Sequence, residues 1–377
     1  MGMIGGGRGA FIGSVHRMAA AMDGQIELVC GAFSSSSEKS KASAKDLNIS
    51  ADRAYGSFEE MIHSEKQLPH HQRMDFVSIV TPNDMHYAPA KLALENGFHV
   101  ICDKPLCYDM EEAYDLQNIV NQTGLIFALT HNYTGYPMVK QSRQMVRDGA
   151  LGTIRKVIVE YQQGWLSTKI EDTDQKQAAW RTDPSRSGIA GAVGDIGTHA
   201  ENLAEYITGL RISSLCADVT AFVDGRRLDD DANILLRFEG GAKGVLITSQ
   251  IAVGEENNLN IRVYGTTAGI EWRQMNPNTL LYKPLEGAQQ VMRTAVQPIY
   301  PKAQNATRLP SGHPEGFLEA FANIYRGFAH CLQARLDGNA PDPAMMDFPD
   351  INDGVRGMQF IYKAIASGNS DQKWNDF

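Results

Sequence analysis

The chain lacks several things whose absence narrows its function. No run of roughly 18 apolar residues occurs in its 377, so nothing reads as a membrane span. Its N-terminus has no basic stretch followed by an apolar one, the mark of a secretory signal. Positive charge is not in excess. The 35 Lys and Arg face 44 Asp and Glu, a formal net charge of −9, which argues against nucleic acid or an anionic membrane as the main partner. Cysteine is scarce. Cys30, Cys102, Cys107, Cys216 and Cys331 are scattered without zinc-type spacing, so we expect reduced, mostly buried thiols in a cytoplasmic protein, and no metal site. No internal repeat and no low-complexity tract beyond the serines at 34–37 is present. What remains is an ordinary globular composition, long enough for two domains with cores of their own.

What is present begins at once. A few apolar residues lead into Gly5, Gly6 and Gly7, and a loop with Gly9 and Gly13 follows. Val15, Met18, Ala19 and Met22 then recur at helical spacing. A strand, a glycine turn and a helix start together make an anion site. Glycines let the backbone approach a diphosphate, and the open N–H groups of the helix point at it. The spacing departs from G-x-G-x-x-G, because Gly13 comes only after a longer loop. The lead-in is brief, and we expect a first strand shorter than its neighbours.

Apolar runs at 26–33, 75–80, 99–102 and 125–129 read as further strands. Helices alternate with them, opened by the pairs Ser35/Glu38, Ser57/Glu60 and Asp109/Glu112. This alternation predicts an open parallel sheet. The pattern changes after residue 132. Helices are expected at 136–148 and 195–206, and a strand at 154–161. Residues 212–282 read as successive strands with glycine turns, an antiparallel sheet of its own. Residues 289–308 look loop-like, and helices close the chain at 315–333 and 352–366.

Ligands of open parallel sheets bind outside the carboxyl ends of the strands. Four polar stretches fall there: 5–13, 33–35, 81–86 and 103–105, with Asn132 after the fifth strand. Lys104 is the sharpest residue. Pro105 fixes its backbone, and a lysine whose pKa is lowered can serve as acid or base. The alternative is a surface lysine opening a loop. The second constellation is Gly194-Asp195-Ile196-Gly197-Thr198-His199. Asp195 and His199 stand at i, i+4, so the carboxylate can orient an imidazole that exchanges a proton near neutrality. A helix cap with a surface histidine and a metal ligand are the other readings. Trp180-Arg181 can clamp a sugar or nicotinamide, or form a structural pair. His131, Tyr133 and Trp165 can line a pocket.

These motifs, IGGGRGAFIGSVH, VSIVTPNDMHY, CDKPL and GDIGTHAENL, resemble those of the glucose–fructose oxidoreductase, inositol dehydrogenase and rhizopine-catabolism (Gfo/Idh/MocA) family over nearly the whole chain. The resemblance implies an α/β fold with an N-terminal Rossmann parallel sheet (1–132). A C-terminal α/β domain with a large, mostly antiparallel open sheet (133–377) would follow. It implies Lys104, Asp195 and His199 as the catalytic trio. It also puts Gly5, Gly7, Gly13, Thr81, Pro82, Asn83, His86, Asp103, Lys104 and Asn132 at the dinucleotide. The family's usual Glu-Lys-Pro is here Asp103-Lys104-Pro105. The acid that would bind the adenosine ribose and favour NAD is absent. Phe33-Ser34 stands there, with Lys39 nearby, which leans the cofactor towards NADP.

The expected reaction is hydride transfer between a nicotinamide and a secondary alcohol of a sugar, cyclitol or related polyol. Lys104, Tyr133, Trp165, Arg181, Asp195 and His199 would meet the substrate. A redox-neutral enzyme that cleaves or eliminates glycosides on the same fold, and a non-catalytic dinucleotide sensor, are the alternatives. A broad one-sided sheet also predicts a homo-oligomer, dimer or tetramer, formed through the C-terminal sheet.

Overall fold

A computed structural model describes residues 1–377. Packing divides them into two compact units, Met1–Asn132 with Phe321–Val355, and Tyr133–Ala320 with Arg356–Phe377. The second domain expected at 133–377 is therefore interrupted, because residues 321–355 pack in the first unit.

The first unit alternates β1 (Gly2–Gly5), α1 (Phe11–Ala21), β2 (Cys30–Ala32), α2 (Ser37–Asp46), α3 (Phe58–Gln67), β3 (Phe76–Val80), α4 (Tyr87–Glu95), β4 (His99–Cys102), α5 (Met110–Thr123) and β5 (Phe127–Leu129). All strand pairs are parallel, in the order β2-β1-β3-β4-β5. Every residue of β3 and β4 is buried, as a sheet covered on both faces requires. Ser57 and Asp109 cap α3 and α5 through the N–H groups of Glu60 and Glu112. In α2 the cap is Ser36, one residue beyond the expected Ser35, and it receives Lys39 N–H. The strand expected at 26–33 shrinks to β2. Glu27 and Val29 bond only to Met1, through its ammonium and its carbonyl. At four residues β1 is shorter than β3, with five, but longer than β2, with three, so the expected brevity holds on one side only.

The second unit holds α6 (Pro137–Arg147), β6 (Ile154–Gln162), α7 (Lys176–Arg181), α8 (Pro184–Ser187), α9 (Thr198–Thr208), β7 (Ile212–Thr220), β8 (Asp231–Phe238), β9 (Lys243–Ser249), β10 (Asn258–Gly265), β11 (Ala268–Arg273), β12 (Thr279–Pro284), β13 (Gln290–Arg293) and α10 (Pro301–Asn305). Two long helices follow, α11 (Phe317–Leu336) and α12 (Ile351–Gly368), and then β14 (Trp374–Asp376). The region expected to be loop at 289–308 contains β13 and α10. Nine strands form one sheet, β13-β12-β11-β10-β6-β9-β8-β7-β14. Eight pairings build it. Seven are antiparallel, and β6 with β9 is parallel. Strand β8 shows why one face is buried: Ala232, Ile234, Leu236 and Phe238 are inside, and Asn233, Leu235 and Arg237 are exposed. Helices α6 and α9 pack against this sheet.

The returning segment completes the first core. Tyr325 of α11 bonds His16 and Ser78 at 2.7 Å each, and Leu129 N donates to Pro349 O at 2.8 Å. All five cysteines are free thiols, and only Cys216 is not fully buried.

Candidate active site

In the first unit the strand order reverses at β1 and β3, the switch point where doubly wound sheets take their ligands. The glycine loop lies at the carboxyl end of β1. Gly5 and Gly6 adopt φ of +83° and +70°, a region open chiefly to glycine. Gly13, in the first turn of α1, packs on the loop. A Cβ there would stand 2.3 Å from Gly6 Cα. Arg17 donates to Gly6 O at 2.7 Å and holds the loop from the next turn. At Gly7 a side chain would meet Phe33 O at 2.6 Å. Ala10 precedes helix α1 and offers no side-chain cap, so the first N–H groups of the helix are left for an anion.

The other strand ends are tied to one another. Thr81 Oγ1 donates to Met85 O at 2.9 Å, and Asn83 is buried. His86 places Nδ1 at 2.8 Å from Pro105 O and Nε2 at 2.9 Å from Thr81 O, joining the 81–86 turn to the Lys104 turn. Burial pushes the His86 ring below its ordinary pKa, against the pull of Asp103 and the two carbonyls. Asp103 Oδ1 accepts from Lys104 N at 2.9 Å and Thr130 Oγ1 at 2.8 Å. Burial opposes ionisation of Asp103, but His16, Lys104, His86 and the Thr130 bond hold its carboxyl below the usual range. Burial drives His131 down to about 3, so it is neutral at pH 7. Asn132 is buried, and its Nδ2 has no partner. An orphaned donor at a strand end, an uncapped helix and a close-packed glycine loop fit a dinucleotide at this edge. Ser34 Oγ accepts from Ser36 N at 3.3 Å. Arg8, in the glycine loop, is committed to Asp46 at 2.5 and 2.7 Å.

In the second unit, Asp195 lies in a π-helical turn, Val193–Gly197, that runs directly into α9, and His199 sits in the first turn of α9. Such turns recur at functional sites. Asp195 Oδ2 accepts from Arg181 Nε at 3.1 Å and Gln250 Nε2 at 2.9 Å. Arg181 also donates to Gln177 Oε1 at 2.6 Å and lies over the Trp180 ring, 4.3 Å from its centre. Arg181 thus forms the structural pair, with Asp195 and over the Trp180 ring. Gln163 continues the chain, accepting from Gln250 at 3.3 Å and Trp165 at 3.0 Å and donating to Asn257 at 2.7 Å. Tyr133 and Tyr161 meet at 2.5 Å. Tyr161 donates to Asn257 Oδ1 at 2.7 Å, and Asn257 Nδ2 donates back to Tyr133 at 3.1 Å. Burial raises the pKa of both phenols. The His199 ring is buried beside them, 4.8 Å from Tyr133 edge to face.

All the expected substrate residues of this unit, Tyr133, Trp165, Arg181, Asp195 and His199, thus lie in one connected cluster. The expected residues of the first unit, Gly5, Gly7, Gly13, Ser34, Thr81, Pro82, Asn83, His86, Asp103, Lys104 and Asn132, lie at the carboxyl edge of its sheet. Sequence reasoning missed Tyr161, Gln163, Gln250 and Asn257. Tyr161 and Gln163 sit at the end of β6, and Gln250 follows β9. These are the ends of the sheet's parallel pair, in register at Tyr161 and Thr248. The strand-end rule, once that pairing is known, reaches Tyr161, Gln163 and Gln250, whereas Asn257 precedes the antiparallel β10. No group of three or more His, Cys, Asp or Glu is arranged to hold a metal ion, and no helix is long and apolar enough to cross a membrane.

The fold and these edges define an NAD-binding oxidoreductase. Residues 1–131 match the oxidoreductase family profile with NAD-binding Rossmann fold, and residues 139–271 match the GFO/IDH/MocA C-terminal domain. The chain belongs to the Gfo/Idh/MocA family of oxidoreductases. It is 34% identical to the Bacillus subtilis uncharacterized oxidoreductase YfiI, across 100% of this chain and 96% of that one. It is 27% identical to levoglucosan dehydrogenase of Pseudarthrobacter phenanthrenivorans over 72% of each. An inositol dehydrogenase homolog from Azotobacter vinelandii, solved with NADH and myo-inositol, aligns over 100% of this chain and 97% of its own at 33% identity and a TM-score of 0.91.

Proposed function

We propose that the protein oxidises a secondary alcohol of a sugar, cyclitol or related polyol with a nicotinamide dinucleotide. The observation that carries this is the amide and hydroxyl cluster around Asp195 and His199, whose groups suit a ligand with many hydroxyls. The names of the inositol and levoglucosan relatives point the same way.

A bound nicotinamide supplies the hydride acceptor. His199, with help from Lys104, takes the proton of the substrate hydroxyl. Asp195 orients His199, and Arg181 and Gln250 hold Asp195. Lys104 also bonds the developing alkoxide, where negative charge forms. Tyr133 and Trp165 flank the substrate. Gly5, Gly7 and Gly13 cradle the diphosphate, and Thr81, Pro82, Asn83, His86, Asp103 and Asn132 carry the rest of the dinucleotide, with Ser34 at the adenosine ribose. The serines after β2 lean towards NADP. The relative from Azotobacter vinelandii solved with NADH leans the other way. On balance we favour NAD, and kcat/KM compared between the two cofactors tests it. The five free thiols suit a cytoplasmic setting.

The test is a polyol panel followed at the reduced nicotinamide, with Lys104→Met and His199→Ala variants. A substrate whose turnover survives both substitutions overturns the assigned roles. Cleavage of a glycoside without net reduction would favour the redox-neutral alternative, and nucleotide binding without turnover of any substrate would favour the sensor.

We further propose that the open face of the nine-stranded sheet pairs with a second copy. Trp374, Cys216, Leu235, Val245 and Ile158 stand in register across five adjacent strands, an apolar row at or near the surface. A monomer in sedimentation at micromolar concentration removes this idea.

A further inference from the structure

Three consecutive backbone N–H groups open the segment that carries Asp195 and His199, and a single residue takes all three. Asp229 Oδ1 accepts from Gly191 N at 2.6 Å, and Oδ2 accepts from Val193 N at 2.7 Å. Its main-chain oxygen accepts from Ala192 N at 2.9 Å. The contact admits only glycine at 191, because a Cβ there would lie 2.1 Å from Asp229 O. Beyond the clamp, Asp195 N donates to Gly191 O at 2.8 Å, and Thr248 Oγ1 donates to Ala192 O at 3.3 Å. One hydrogen bond therefore separates the clamped turn from Asp195.

The carboxylate is held under unfavourable conditions. Burial pushes its pKa up to about 6, against the two amide bonds, and neighbouring Asp230 adds repulsion. Asp230 is itself neutralised by Arg226 at 3.1 Å. A cap that served stability alone would be better placed in water, where ionisation is free of this penalty.

We propose that Asp229 is a positioning residue, whose ionised carboxylate fixes the 191–193 turn and, through it, the Asp195 turn and His199. The inference rests on the roles proposed above for Asp195 and His199. Protonation would turn one acceptor oxygen into an O–H facing an N–H. The Asp229→Asn variant makes the same change permanently, because its amide nitrogen must face one of the two amides.

The test uses the full-length Asp229→Asn variant. Amide exchange at 191–193 should quicken at least about tenfold, and kcat should fall roughly 10–100-fold. The dissociation constant for the dinucleotide should stay within about twofold, since that edge belongs to the first unit. Wild-type kcat should decline more steeply below about pH 6 than kcat of the variant, which keeps the limb of its proton acceptor and loses only the share that Asp229 adds. Gly191→Ala presses on the same contact from the other side and should reproduce the loss of kcat if Asp229→Asn folds poorly. Unchanged exchange overturns the clamp. Faster exchange with unchanged kcat and pH profile overturns the positioning role. If His199→Ala loses turnover while Asp229→Asn keeps it, only this inference fails. If His199→Ala keeps turnover, the site reading fails instead.

Discussion

Acid should weaken the first unit far more than the second, and the structure gives a magnitude. Three buried histidines of that unit are held neutral. Burial lowers His16 and His99 from 6.5 to about 4, and His131 from 6.5 to about 3. His99 shows the cause directly. Its Nδ1 accepts Ile126 N–H at 2.8 Å, so a proton there would set donor against donor. In the unfolded chain all three rings titrate near their ordinary value. Between about pH 6.5 and 4 the unfolded state therefore binds more protons, and acid favours it. Stability is fully present above about pH 6.5 and drains away as pH falls towards 4. At pH 5 each histidine contributes a loss of about 2 kcal/mol relative to pH 8, or about 6 kcal/mol for the three. That is a large part of a typical domain's stability. In the second unit Asp229 runs the opposite way. Its pKa is raised in the folded state, so acid relieves it by roughly 1 kcal/mol at pH 5. All four tryptophans, Trp165, Trp180, Trp272 and Trp374, lie in the second unit, so their fluorescence reports that unit. Urea unfolding at pH 8 and pH 5 should therefore diverge between probes. Amide exchange in β3 and β4 should lose protection at much lower urea in acid, while the tryptophan transition shifts less. His99→Gln, whose side-chain oxygen can still accept Ile126 N–H, should remove about a third of the acid loss. First-unit stability at pH 5 within about 1 kcal/mol of its pH 8 value would refute the linkage.

Two further outcomes are expected. Gly13→Ala drives a methyl into Gly6, so it should destabilise the first unit by about 1–3 kcal/mol and abolish tight dinucleotide binding, as calorimetry will show; Gly24→Ala, at φ +67° with open space around it, should cost about 1–2 kcal/mol and leave binding intact. Arg181→Met frees Asp195 of its cation, and kcat/KM should fall roughly 10–150-fold with dinucleotide affinity unchanged, in steady-state assays beside titration of the nucleotide.

The parallel half of the fold was legible because its signals are local. Buried strands, caps such as Ser57 and Asp109, and glycine stops each announce themselves within a few residues. The antiparallel run was legible for the same reason, since glycine turns join neighbouring strands. What escaped was set by distant pairing. Tyr161 and Gln163 become site residues only because β6 lies beside β9, which starts some 80 residues later and runs parallel to it. Gln250 and Asn257 join them by bonds across the same gap. Asp229 stands in the acidic run Asp229-Asp230-Asp231, and only its contact with the 191–193 amides distinguishes it from its neighbours. The π turn was hidden too, because the i, i+4 spacing of Asp195 and His199 suits an ordinary helix equally well. Around the nucleotide edge, Arg8 of the glycine loop pairs with Asp46, which lies beyond a further helix, a strand and most of a second helix, so no local pattern announces that contact.

The division of the chain has a consequence for its biosynthesis. The first unit is encoded at both ends of a long interruption, and Tyr325 and Pro349 supply bonds to its core. A ribosome that has released the first 132 residues has made every strand of the dinucleotide sheet and still cannot finish it. Completion waits for residue 355, by which time the whole nine-stranded sheet except β14 has emerged. The nascent half-unit therefore spends most of translation with the His16 and Ser78 surface uncovered. Chaperone contacts with stalled chains should accordingly concentrate on that surface until α11 has left the tunnel.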